Sequence, residues 1–101
     1  MADFDANLSA VAPTIDRFQR ETLGHFINGE RTLGVSGETF ENETPIDNSP
    51  LGLVAAGSEA DIATACEAAE AAFTSWAAMP GAQRRALLHK IADAIETNAR
   101  E

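Results

Sequence analysis

Apolar residues between positions 58 and 80 recur with the spacing of a helix. At about 100° per residue they form one stripe roughly 120° wide, which is typical of an amphipathic helix. Ser58 followed three residues later by Asp61 predicts a capped start, and Pro80 cannot continue the helix. The stripe is expected to pack against a sheet or another helix, and its members are Ile62, Ala65, Cys66, Ala69, Ala72, Phe73 and Trp76.

A second amphipathic helix is predicted from Pro80, because proline is well suited to the first position of a helix. After Ile95 no glycine or proline follows before Glu101 and Asn98 is the only candidate cap, so we expect the helical pattern to belong to a longer chain. The apolar stripe of this helix consists of Leu87, Leu88, Ile91 and Ile95.

Short strands are predicted ahead of the two helices. Asn28 and Gly29 lie between two short segments and predict a tight hairpin, because both turn residues must adopt positive φ. Residues 38–44 have the pattern of a third strand and residues 51–56 that of a short apolar fourth strand. A polar turn at 45–50 connects these two strands.

The first residues of the chain are predicted to form an arm with one or two helical turns on each side of Pro13, which should interrupt them. The organisation is therefore an arm (1–24), a hairpin and strand segment (25–57) and a two-helix segment (58–101), together one incomplete domain. The fold class is α/β, with short antiparallel β-hairpin strands followed by two amphipathic helices.

Composition and charge argue against several classes of binding partner. The 101 residues carry sixteen acidic and seven basic side chains, for a formal charge of −9. That balance argues against non-specific binding to nucleic acid or to anionic membranes, since both need a basic surface. No apolar run approaches the length of a membrane span, and the first residues lack the basic character of a targeting segment. A cytoplasmic protein is expected, and its single cysteine permits no internal disulfide.

Cys66 and Ser49 are the candidates for covalent chemistry. Cys66 lies on the predicted apolar stripe with Glu67 beside it and Glu70 one turn on, and both burial and nearby acids disfavour the thiolate that a nucleophile needs. It is interpreted as a buried packing residue. Residues 47–51 faintly resemble the serine site at which acyl carrier proteins bear pantetheine. In that family a helix follows the serine, whereas here Pro50 and a predicted strand follow it.

The other chemistry-bearing residues are interpreted as structural. His25 and His89 have no second ligand at a metal-like spacing. Glu41 and Glu43 fit an exposed acidic edge strand better than a pair of catalytic carboxylates. Gly29, Gly34 and Gly37 are too widely spaced, and too far from a helix start, to hold a phosphate. Phe73 and Trp76 are interpreted as anchors of the hydrophobic core.

Several of these stretches, taken in order, resemble one family. The stretches are residues 25–30 (HFINGE), 37–41 (GETFE), 44–45 (TP), 53–55 (LVA), 72–76 (AFTSW) and 83–93 (QRRALLHKIAD). Over residues 25–101 the chain resembles the N-terminal segment of the NAD(P)-dependent aldehyde dehydrogenase superfamily. Within that superfamily it is similar to the hydroxymuconic semialdehyde dehydrogenases of aromatic catabolism.

The resemblance implies a longer parent enzyme that oxidises an aldehyde to a carboxylic acid with NAD or NADP. In such enzymes a cysteine thiolate attacks the aldehyde, hydride passes to the cofactor, and a glutamate activates water. The family places the nucleophile, the glutamate and the cofactor loop after the portion seen here. No catalytic, cofactor-binding or metal-binding residue is therefore assigned, and the chain alone is expected to be inactive and to bind no cofactor.

Some family members bind a monovalent cation through backbone carbonyls just before an Asn-Pro pair. The matching positions are Asn42 and Glu43, but here the pair is Thr44-Pro45, so no cation site is assigned. The implied partners are the remainder of the enzyme, or a second copy through exposed helix faces, and the parent is expected to be a homo-oligomer. The alternative is a non-catalytic interaction module that docks on a full-length enzyme.

Overall fold

A computed structural model describes residues 3–99, so the ends of the predicted arm and of the two-helix segment (1–2 and 100–101) lie outside the described residues. Contacts divide the chain into two units, Met1–Ala65 and Cys66–Glu101. Within the described residues no helix is both long and apolar enough to cross a membrane. The elements in chain order are α1 (Phe4–Arg20), β1 (His25–Ile27), β2 (Glu30–Thr32), β3 (Thr39–Glu43), β4 (Pro50–Ala55), α2 (Glu59–Ala78) and α3 (Gly81–Thr97).

The β1–β2 hairpin confirms the prediction made from its turn. Ile27 pairs with Glu30, so the connection has only two residues. Those residues, Asn28 and Gly29, have φ values of 54° and 78°. Positive φ at both positions matches the right-handed twist of the flanking strands, which is why Asn-Gly favours this turn.

A second antiparallel pair joins β3 to β4, with Phe40 opposite Val54 and an irregularity at Asn42/Glu43. The other edge of β4 is also used. The backbone N–H of Leu23 donates to the carbonyl of Leu53 at 2.9 Å, and the N–H of Ala55 donates to the carbonyl of Leu23 at 2.8 Å. The segment after α1 thus lies parallel to β4, which satisfies backbone groups on both of its edges.

α1 runs through Pro13 without a break, so the interruption expected there is wrong. Proline removes one backbone donor from a helix, but both ends of α1 are held by other contacts. The carboxylate of Asp3 caps the first turn by accepting from the N–H groups of Asp5 and Ala6. The last turn packs on β4, where the Gln19 amide donates to the Pro50 carbonyl at 3.2 Å.

Gly52 permits this packing. Its φ is 138°, and a Cβ at this position would overlap the carbonyl oxygen of Phe18 in α1. Only a residue without a side chain lets the helix backbone approach the strand this closely.

Little apolar surface is buried within the described residues. Ala55, at 5% exposure, is the buried hydrophobic residue, and no side chain there falls below 2% exposure. In the second unit, α3 does not pack along residues 66–78 of α2. The apolar stripes of both helices are consequently open, with Phe73 at 67% and Ile95 at 66% exposure.

We expect Gly52→Ala to separate α1 from β4. A backbone in this region of φ costs a residue with a Cβ about 1–3 kcal/mol, and the overlap with Phe18 adds roughly 1–3 kcal/mol more. Gly37→Ala is the matched control, because Gly37 also has positive φ but its Cβ would meet nothing within 4 Å. Hydrogen exchange of the α1 amides measures the effect, and equal protection in the two variants would contradict the prediction.

Candidate functional site

The most constrained polar site in the described chain is built around the carboxylate of Asp61, in the first turn of α2. Its Oδ2 accepts from the backbone N–H of Ser58 at 2.9 Å and from the Ser58 hydroxyl at 2.8 Å. Its Oδ1 accepts from the backbone N–H of Val35 at 2.8 Å. Asp61 is only 6% exposed, so these donors replace the hydrogen bonds to water that the carboxylate loses on burial.

Part of this site is the predicted helix cap. The Ser58 hydroxyl accepts from the backbone N–H of Asp61 at 3.3 Å, while the Asp61 carboxylate reaches back to the Ser58 N–H. Each residue satisfies a donor of the other, which is the reciprocal arrangement of a capping box. The cap prediction from Ser58 and Asp61 is therefore confirmed.

The Val35 contact is the part that sequence reasoning missed. It joins residues 26 positions apart, from the loop after β2 to the start of α2. Gly34 makes room for it: its φ is 91°, and a Cβ there would lie 2.8 Å from Asp61 Oδ2. The one signal in the sequence is a glycine just before Val35, and a glycine alone does not identify a partner.

These hydrogen bonds stabilise the charged carboxylate. The Ser58 backbone N–H, then the Val35 N–H and the Ser58 hydroxyl, hold the pKa of Asp61 below its usual value of 3.8. Burial acts in the opposite direction, and the nearby His25 assists the lowering slightly. A carboxylate with a lowered pKa and committed lone pairs is a poor general base at neutral pH, so the site is suited to holding two segments together.

His25 lies beside this site. Its Nε2 atom is buried without a hydrogen-bond partner, and a Cβ on Gly57 would lie 3.6 Å from the neighbouring Cε1 atom. A metal site needs several ligands at one point. In residues 3–99, no group of three or more His, Cys, Asp or Glu side chains is placed to hold a metal ion.

An apolar groove of about 300 Å³ lies between α1 and β4. Ile15 and Phe18 line it from the helix, while Leu51 and Val54 line it from the strand. Its lining contains no titratable side chain, so the groove can bury an apolar group but offers no general acid or base.

Three of the remaining candidates lie on α2 and are exposed. Cys66 is exposed, so the buried position expected for it is wrong. Phe73 and Trp76 are 67% and 40% exposed, so they are not anchors of a core formed by this chain. The physical reason is shared: the stripe of α2 on which these residues lie is not covered by other described residues.

The other sequence candidates lie at the surface. His89, Glu41 and Glu43 are exposed, with His89 on α3 and the two glutamates on β3. Ser49 lies in the turn before β4, where its backbone N–H donates to the Asp47 carboxylate at 3.0 Å.

Comparisons with known proteins agree on one family. Residues 33–101 match the model of the aldehyde dehydrogenase family. The NADP/NAD-dependent aldehyde dehydrogenase PuuC of Escherichia coli K12 is 41% identical over 78 residues, which are 75% of this chain and 16% of PuuC. Aldehyde dehydrogenase 1 of Tanacetum cinerariifolium is 45% identical over 78 residues, again 75% of this chain and 16% of the relative.

Solved structures give the same result. HpcC from Thermus thermophilus superposes with a TM-score of 0.87 at 34% identity, over 91% of this chain and 18% of the HpcC chain. The NAD⁺ complex of aldehyde dehydrogenase from Bacillus cereus gives a TM-score of 0.77 at 40% identity, over 84% of this chain and 18% of that one. The chain therefore spans less than a fifth of the length of these proteins.

We expect the link between Val35 and α2 to weaken in acid. Because the pKa of Asp61 is lowered in the folded chain, its stabilising contribution is complete above the usual value of 3.8 and is lost as pH falls through the folded value. Asp61→Asn should reduce the protection of the Val35 amide about ten-fold at neutral pH, since the bond to a charged acceptor is lost. Hydrogen exchange measured by NMR across the acid range tests both statements.

Asp47→Asn is the control for this experiment. The pKa of Asp47 is also lowered, by hydrogen bonds from Ser49, but this carboxylate lies in the exposed turn before β4. The variant should leave protection at Val35 unchanged. A Val35 amide that is equally protected in wild type and Asp61→Asn would show that the carboxylate does not hold the loop.

Proposed function

The chain belongs to the aldehyde dehydrogenase family, and we propose that it is the opening scaffold of an NAD(P)-dependent enzyme that oxidises an aldehyde to a carboxylic acid. The observation that carries this proposal is the match to HpcC, which extends over 91% of this chain but only 18% of the HpcC chain. The reacting groups are then supplied by other parts of the enzyme. The role of this segment is to flank the cofactor-binding domain.

We further propose that the parent enzyme binds NAD or NADP and that this chain alone binds no cofactor. Among the three glycines considered for a phosphate site, Gly34 lies against the start of α2, but a phosphate there would meet the Asp61 carboxylate. The negative charges of the phosphate and of the Asp61 carboxylate would repel each other at close contact. The Ser58 donors are already committed to Asp61. These contacts support a structural rather than a cofactor-binding role for the segment.

We propose, from the sequence resemblance, that the substrate is a hydroxymuconic semialdehyde or a related semialdehyde from aromatic catabolism. The names of the relatives agree that the substrate carries an aldehyde group, but they differ in the rest of the substrate. Besides the general aldehyde dehydrogenases, they include N-succinylglutamate 5-semialdehyde dehydrogenase of Serratia proteamaculans, 44% identical over 71 residues. We further propose a cytoplasmic homo-oligomer as the parent. A stand-alone docking module is less favoured, because the relatives are much longer enzymes.

The purified 101-residue chain should have no dehydrogenase activity. NAD⁺ and NADP⁺ reduction with a panel of aldehydes, including a semialdehyde, should stay at the level of the buffer control, because the proposed reacting groups lie in other parts of the enzyme and the Ser58 hydroxyl beside Asp61 is committed to the helix cap. Turnover that rises in proportion to the concentration of this chain, and persists after a second purification step, would overturn the proposal.

A chimera tests the scaffold role directly. We expect PuuC to keep NAD(P)-dependent aldehyde oxidation when its matching segment of 78 aligned residues is replaced by that of this chain. PuuC with the segment deleted is the control, and it should be inactive because the covering surfaces are lost. A chimera that oxidises aldehydes no faster than the deletion variant would contradict the proposed function.

A further inference from the structure

We propose that Asn28, at the tip of the β1–β2 hairpin, is a site of spontaneous covalent modification by deamidation. The side-chain amide of Asn28 becomes a carboxylate through a cyclic succinimide that forms with the backbone nitrogen of Gly29. One of the two products, isoaspartate, carries the main chain through the side-chain carbon and unpairs β1 from β2. The inference goes beyond the proposed function, because it concerns an exposed turn and does not depend on catalysis.

The reaction consumes only water. The Gly29 nitrogen loses its proton and bonds to Cγ of Asn28, while the bond from Cγ to Nδ2 breaks and ammonia leaves with that proton. Water then opens the succinimide ring at one of its two carbonyls. Opening at Cγ gives aspartate with the original backbone, whereas opening at the main-chain carbonyl gives isoaspartate, whose backbone is one carbon longer. Both products add a negative charge to the chain.

The residue after each asparagine selects Asn28 as the reactive one. Of the five asparagines, only Asn28 precedes a glycine. A side chain on the following residue crowds the approach of its nitrogen to Cγ, and glycine has no side chain. Asn28 and Gly29 are both exposed, and a Cβ on Gly29 would meet nothing within 4 Å. The residues that follow the other asparagines are Leu8, Glu43, Ser49 and Ala99.

The backbone nitrogen of Gly29 is open to reaction. It lies outside the β1–β2 ladder, whose last pair is Ile27 with Glu30. Within residues 3–99, no backbone carbonyl accepts a hydrogen bond from this nitrogen. The nitrogen can therefore attack without first giving up a partner.

Asn48 provides the contrast within the same chain. It is also exposed, and its φ of 59° is close to the 54° of Asn28. The nitrogen that would attack it belongs to Ser49, which has a side chain and whose N–H donates to the Asp47 carboxylate at 3.0 Å. That hydrogen bond must break before a ring can close, so Asn48 is expected to react more slowly.

The hairpin is weak enough to let the ring close. Closure requires rotation about the bond between Cα and the main-chain carbonyl of Asn28, which the paired turn restrains. β1 and β2 have three residues each and form a sheet of only these two strands. Two-stranded hairpins are marginally stable by themselves, and such exposed ladders open at a small cost in free energy. The reaction therefore proceeds through local opening of the turn.

Isoaspartate changes the length of the turn. The two-residue connection places Ile27 opposite Glu30, and the register of a hairpin follows from the length of its turn. An additional backbone carbon between these strands is incompatible with that register. The aspartate product keeps the original backbone, and Asp-Gly favours the same type of turn as Asn-Gly. Loss of strand pairing is thus specific to the isoaspartate product.

The experiment incubates the full 101-residue chain at neutral pH and physiological temperature. Mass spectrometry of proteolytic peptides follows the exchange of NH₂ for OH, and an isoaspartyl methyltransferase reports isoaspartate. We expect Asn28 to convert about ten-fold faster than Asn48, because the glycine nitrogen is unhindered. Asn28→Gly is the matched control, since Gly-Gly forms the same type of turn. It should abolish the signal from residues 25–32 and leave conversion at Asn48 unchanged.

A synthetic peptide of residues 25–32 gives the rate outside the folded chain. Conversion of the peptide while Asn28 stays intact in the chain would overturn the proposal, because the folded turn would then protect the amide. Equal rates at Asn28 and Asn48 would overturn the selection by the following glycine.

Asn28→Asp separates the added charge from the longer backbone. Its β1–β2 amides should keep the hydrogen-exchange protection of wild type, whereas the isoaspartate form should lose about ten-fold, because the ladder bonds no longer form. Full protection in the isoaspartate form would overturn the unpairing of β1 from β2. Equal loss in Asn28→Asp would also overturn it, since charge rather than backbone length would then be the cause.

Discussion

A buried carboxylate with several hydrogen-bond donors is the interaction on which the first unit depends. Asp61 cannot remain charged at 6% exposure unless neighbouring donors replace water, and the structure supplies three of them. Two come from Ser58 and fix the start of α2. The third comes from Val35, so the same charge also fixes the loop that leaves the β1–β2 hairpin. A local helix cap thereby becomes a tertiary contact.

Close backbone approach is the second constraint in this unit. Gly34 lies against the Asp61 carboxylate, and Gly52 lies against the carbonyl of Phe18. Both glycines adopt φ values that disfavour residues with a Cβ. The unit is thus held by polar contacts and backbone proximity more than by a hydrophobic core, of which Ala55 is the buried member among the described residues.

The second unit has the opposite character. Its helices are well formed along their backbones, yet their aromatic and aliphatic side chains are largely open to water. Burial of apolar area at about 25 cal/mol per Å² is the main favourable term in folding, and this chain leaves much of it unused. A segment of a larger enzyme fits that imbalance, because its apolar surfaces are complementary to polypeptide that lies elsewhere. Family membership rests on the match over residues 33–101, which does not depend on a catalytic group.

The sequence by itself determined the features that depend on near neighbours. Asn28-Gly29 specified the hairpin turn, Ser58 and Asp61 specified the cap of α2, and Pro80 marked the end of that helix. The ordered stretches from residue 25 onward identified the family. These signals succeed because turn and cap chemistry acts over two to four residues, where the sequence states the partners directly.

Tertiary structure decided what depends on distant partners. The continuity of α1 through Pro13, the bond from Val35 to Asp61 and the exposure of Cys66 were not determined by local pattern. Each depends on which surface another segment covers: β4 supports α1, the loop reaches α2, and no described residue covers the α2 stripe. Periodicity shows that a helix has an apolar side, but it cannot show whether the same chain provides the surface that buries it.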